Sequence, residues 1–111
     1  MNVLLDSGIL IDHFNGIGAA TAYLRDVHGR SMISVIIRAE VLTGFDREQR
    51  APVLRLLERF PILGIDREVA DLAAGLRRDN RWRIPDAFQA ALAERHQLKL
   101  ATRNSRDFPP V

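Results

Sequence analysis

Four short strand-like runs, at residues 3–5, 31–34, 61–65 and 98–101, are separated by longer stretches whose apolar residues recur at helical spacing. A chain patterned this way has few options. Parallel strands need a crossover long enough to hold a helix, so short strands alternating with helices build a parallel sheet. The expected fold class is α/β, a layered sandwich around a short parallel sheet with right-handed crossovers. At 111 residues the chain fits one domain, residues 1–111, and 47% apolar residues supply one core.

The intervening pattern locates the helices. Ile9, Leu10, Ile11 and Phe14 begin one that Gly16 and Gly18 stop, and a second over 19–27 closes at Gly29. Helical spacing resumes at Val35 and ends at Gly44. Pro52 suits the first turn of a helix running through Leu54, Leu56, Leu57 and Phe60. Asp66 can cap the next, whose buried stripe is Val69, Leu72, Ala73 and Leu76. Residues 80–84 read as a basic loop, and Pro85 opens an alanine-rich helix from Asp86 to about Arg95.

Several function classes drop out. No apolar run approaches the ~20 residues of a membrane-spanning helix. The first six residues carry no basic segment and reach Asp6 too early for a signal peptide. With no cysteine there are no disulfides, thiolate metal sites or cysteine nucleophiles. A soluble, cytoplasmic protein with no membrane association is expected. The net charge is +2, and fifteen of the sixteen basic residues are arginine, Lys99 being the exception. Arginine's planar donor fork suits phosphate, although codon preference gives the same bias. Arg81, Arg83, Arg103 and Arg106 all fall in the last third, where a polyanion would find the most positive surface.

In open parallel sheets the site lies outside the carboxyl ends of the strands. Asp6 directly follows the first strand, and Asp107 lies six residues past the fourth. Asp86 opens the helix that precedes the last strand, and Glu40 falls mid-helix after the second. These four acids, distant in sequence, can converge on one edge. Carboxylates crowded to ~3–5 Å repel one another and call for a cation. An all-oxygen donor set fits Mg²⁺ or Mn²⁺ rather than zinc, and such ions activate water and stabilise charge on a phosphate. Taken singly, each acid has an ordinary role in a turn, a helix N-terminus, a solvated face or a loop. His13, His28 and His96 lack metal-ligand spacing and read as ordinary histidines. Trp82, between Arg81 and Arg83, reads as a packing residue, with base stacking as the alternative.

The stretches at 4–12 (LLDSGILID), 33–44 (ISVIIRAEVLTG), 84–93 (IPDAFQAALA) and 100–108 (LATRNSRDF) resemble, in order, the four motifs of VapC-type PIN domains. The resemblance implies a three-layer α/β/α PIN-domain sandwich. It further implies an Mg²⁺-dependent endoribonuclease (Mn²⁺ being possible), the toxin of a type II toxin–antitoxin pair. Such proteins are usually homodimeric and are neutralised by a small VapB-like antitoxin. Asp6, Glu40 and Asp86 match three family acids, Asp6 and Asp86 being those nearest the metal. The fourth position falls on Asn104 in some members and on the acid matching Asp107 in others. Ser7 matches a supporting hydroxyl residue. Gly8 departs from a frequent asparagine, so a hydrogen bond near the metal is expected to be missing. Arg81, Arg83, Arg103 and Arg106 then become candidates for holding RNA phosphates. Two other readings stay open: an RNA-processing PIN nuclease without an antitoxin, and an inactive RNA-binding or regulatory module.

Overall fold

Successive residues of a strand point to opposite faces, and the three apolar residues of β1 (Val3–Leu5) serve two cores in this way. The computed structural model describes residues 2–103. The other strands are β2 (Ser31–Ser34), β3 (Ile62–Leu63) and β4 (Lys99–Ala101), in the all-parallel order β3-β2-β1-β4. The helices are α1 (Ser7–Phe14), α2 (Gly18–Asp26), α3 (Val35–Thr43), α4 (Arg50–Leu57), α5 (Arg67–Asn80) and α6 (Ile84–His96). Val3, Leu5, Ile33 and Ala101 pack on one face against Leu10, Ile37, Val41 and Leu57 of α1, α3 and α4. Leu4, Met32, Leu63 and Leu100 pack on the other against α5 and α6. Two cores on one sheet make the three-layer α/β/α sandwich expected from the sequence.

Local chemistry explains most boundaries. Asp66 caps α5 by accepting the Val69 N–H at 2.9 Å, and Pro85 sits in the first turn of α6. Fully buried Ala87, Ala90 and Ala91 let α6 lie close to its neighbours. Several boundaries differ from the sequence reading. Helix α1 begins at Ser7 rather than Ile9, and α2 begins at Gly18. Helix α4 ends at Leu57 rather than Phe60, β3 is Ile62–Leu63 rather than 61–65, and α6 begins at Ile84 rather than Asp86. Apolar spacing reports only where a helix is buried, and Ser7, Gly8 and Gly18 carry no apolar side chain. The basic loop shrinks to residues 81–83, because α5 continues to Asn80 with its polar side in solvent. That helix ends at Arg81 with φ 58°, a left-handed conformation that costs a non-glycine residue about 1–2 kcal/mol.

One buried polar chain ties the layers together below the sheet's carboxyl edge. Ser34 Oγ accepts the Ile37 N–H at 3.1 Å, capping α3, and donates to Gln89 Oε1 at 2.6 Å. The Gln89 side-chain N–H donates in turn to the Leu5 carbonyl at 3.4 Å. Both side chains are almost fully buried. The ends of β1 and β2, the start of α3 and the second turn of α6 are thereby held in mutual register.

Candidate active site

Strands β1, β2 and β3 each hand the chain to a helix at the carboxyl edge, and three of the expected acids collect there. Asp6 leaves β1 and is the N-cap residue of α1, with its N–H donating to the Ala101 carbonyl at 2.9 Å. Its carboxylate makes no capping bond into the helix and takes the Ser7 backbone N–H instead. Burial is the largest influence on it and raises its pKa above the ordinary carboxylate range. The charge of Asp86 raises it further, whereas Arg103 and Arg83 pull it back.

Glu40, on α3, responds in the same direction. Burial raises its pKa first, then the charges of Asp6 and Asp86, against Arg83 and a hydrogen bond from the Ser7 side chain. Ser7 therefore connects α1 to α3 by donating its hydroxyl to the Glu40 carboxylate. Asp86, in the first turn of α6, accepts from Arg83 Nε at 3.4 Å. That arginine side chain is 85% exposed, so the pair holds weakly in water and can open at little cost.

Asp6, Glu40, Asp86, Ser7, Arg83 and Arg103 thus form one electrostatic unit built from four distant parts of the chain. Arg81 lies on the exposed turn after α5 and is not among the cations acting on either carboxyl. Asn104, Arg106 and Asp107 lie outside the described residues. Trp82 is half-buried. His13 bonds Thr21 at 2.7 Å and, with His28, lines a cavity of about 620 Å³ with Arg25 and Arg59. Ser31 and Pro61 place that cavity at the amino ends of β2 and β3, and it contains none of the acids.

The donor set fits a hard divalent cation. The Asp6 and Glu40 carboxyls bind protons more readily than free carboxyls because burial and neighbouring negative charge disfavour ionisation, a penalty that a cation removes. Among the described residues no three acids or histidines close into a ready cage. An open set of this kind suits Mg²⁺, which keeps several waters and takes one or two carboxylates, better than four-ligand zinc.

Nothing in the sequence places a guanidinium over Gly8, where the structure puts that of Arg103. Arg103 Nε and Nη2 grip Asp12 Oδ2 and Oδ1 at 2.8 and 2.7 Å, and Nη2 also donates to the Gly8 carbonyl at 2.9 Å. A Cβ at Gly8 would stand 3.2 Å from Arg103 Nε. Position 8 therefore lacks the frequent asparagine where an arginine fills the same volume. The only local hint was the four-residue spacing of Gly8 and Asp12 on α1, which says nothing of a partner 91 residues away.

Fold and site together define a class. The chain belongs to the PIN domain family, whose pattern matches residues 3–110. Among known proteins, it is 36% identical over 114 residues to Ribonuclease VapC10 of Mycobacterium tuberculosis, covering 96% of this chain and 86% of that one. A toxin–antitoxin complex from Klebsiella pneumoniae contains a chain with TM-score 0.88 and 33% identity, covering 99% of this chain and 92% of the other. VapBC2 from Rickettsia felis, bound to a promoter DNA fragment, shares the fold at TM-score 0.80 and 21% identity, with coverages of 97% and 91%.

Proposed function

We propose that this chain is a divalent-metal-dependent endoribonuclease, the toxin of a toxin–antitoxin pair. The observation that carries the reading is the charge coupling of Asp6, Glu40 and Asp86, three acids from distant segments, at the carboxyl edge of a parallel sheet. Similarity to a ribonuclease and to chains of toxin–antitoxin complexes supports RNA as the substrate class and a small VapB-like antitoxin as the partner. Homodimerisation and a cytoplasmic location belong to the same proposal.

Asp6 and Asp86 would hold Mg²⁺, or Mn²⁺ in its place. The bound ion supplies charge neutralisation for the phosphate and a lowered pKa for water. Glu40, held by the Ser7 hydroxyl and raised in proton affinity by its surroundings, is suited to accept a proton from the attacking water. Arg83 releases Asp86 cheaply and is then available to a phosphate oxygen. The fourth position stays with Asp107, supported by Asn104, and Arg106 and Arg81 extend the phosphate-binding rim.

The test is Asp86→Asn. Metal at about a hundred times its Kd stabilises the wild-type fold by ~2.7 kcal/mol. The variant is expected to fold, lose that stabilisation and lose cleavage of single-stranded RNA. Cleavage at the wild-type rate would overturn the site.

A further inference from the structure

Asp12 belongs to none of the family acids, yet it makes the shortest side-chain ion contact at this edge of the sheet. Its two oxygens take Arg103 Nε and Nη2, and the Gly8 carbonyl takes the remaining Nη2 donor. A guanidinium has five N–H donors in a fixed plane. Three are thus committed to α1, and the two on Nη1, off the edge that faces Asp12, have no partner among the described residues. Gly8 is part of the device, since a Cβ there would stand 3.2–3.4 Å from the Arg103 side chain and force it to give way by a few tenths of an ångström. The same cation reaches the Asp6 carboxyl electrostatically without a hydrogen bond to it.

We propose that Asp12 is a positioning residue that, together with the bare backbone of Gly8, presets Arg103 to take a phosphate oxygen of the RNA beside Asp6. The inference rests on the ribonuclease reading above. A fixed arginine loses less side-chain freedom on binding than a mobile one, so preorganisation appears as affinity. A mere staple between α1 and the end of β4 would stabilise the fold and leave RNA binding unchanged.

The sign of one effect separates these roles. Removing an acid beside a polyanion site should tighten RNA binding if only net charge matters. If Asp12 orients Arg103, Asp12→Ala should weaken it. The experiment is single-turnover cleavage of a short single-stranded RNA with Mg²⁺ across a salt series, alongside thermal melting. Asp12→Ala and Gly8→Ala are expected to raise the half-saturating RNA concentration by about three- to tenfold, with the saturated rate near wild type. Arg103→Ala is expected to raise it about tenfold and to reduce the salt slope by ~0.7, the value for one phosphate contact on a single strand. RNA affinity unchanged or tightened in Asp12→Ala and Gly8→Ala, whatever the melting temperatures, would overturn the proposal while leaving the nuclease reading intact. A wild-type chain that cleaves no RNA with Mg²⁺ or Mn²⁺ would overturn both.

Discussion

Replacing Ser34 by alanine removes two interactions from a fully buried position. The first is the cap on α3, whose loss costs about 1 kcal/mol. The second is the donor to Gln89 Oε1, which is left buried without a partner at a cost of ~1–3 kcal/mol. Together they amount to ~2–4 kcal/mol, a large share of the ~5–15 kcal/mol that holds a domain folded. In urea titration the midpoint should fall by roughly 1–2 M with little change in slope. Gln89→Leu alone strands the Ser34 hydroxyl in the same way. The double variant Ser34→Ala/Gln89→Leu strands neither group and should lose less than the sum of the singles, by ~1–3 kcal/mol. Because these hydrogen bonds run from the start of α3 to the second turn of α6 and on to Leu5, Ser34→Ala should also lower activity per folded molecule. If the two single effects add to within ~0.5 kcal/mol, Ser34 and Gln89 act independently and the reasoning fails.

Three further outcomes are expected. In metal-free protein the raised pKa values of Asp6 and Glu40 mean that the folded chain binds protons more tightly than the unfolded one. Their contribution to stability is therefore full below the ordinary carboxylate range and is lost as pH rises through the raised values. Urea midpoints across pH should show this decline with chelator and its absence with Mg²⁺; parallel curves would refute it. Gln97, with φ 55°, closes α6 in the left-handed region, so Gln97→Gly should stabilise by about 0.5–1 kcal/mol in thermal melting, whereas destabilisation would refute the strain. Asp107→Asn should slow single-turnover cleavage strongly and weaken metal binding only modestly, with Asn104→Ala milder in both; the reverse order would move the fourth position to Asn104.

The strands and Asp6 were legible for a shared reason. A buried parallel strand must be short and apolar, and an acid just beyond one marks the carboxyl edge, so Asp6 stood out from five residues of context. Asp66 and Pro85 announced their helices because capping acts within one turn. What stayed hidden was chemistry across long separations. Nothing near Ser34 points to Gln89, fifty-five residues on, and nothing near Asp12 points to Arg103. Both pairs consist of residue types common on surfaces, and only the crossing of layers makes them partners. The start of α1 was missed because Ser7 and Gly8 serve the site and leave no apolar trace.

The sheet register also sets when this protein can begin to act during its synthesis. Val3 lies beside Lys99 and Leu5 beside Ala101, so the inner strand β1 waits for residues 99–101 to be made before gaining its second neighbour. At ribosomal speeds of ~5–20 residues per second the wait is roughly 5–20 s, during which Asp6 lacks the Ala101 carbonyl that fixes its backbone. Contacts of such sequence separation also form late once the chain is free. A translation product broken off before β4 would carry Asp6, Glu40 and Asp86 without the strand that flanks β1 on its second side.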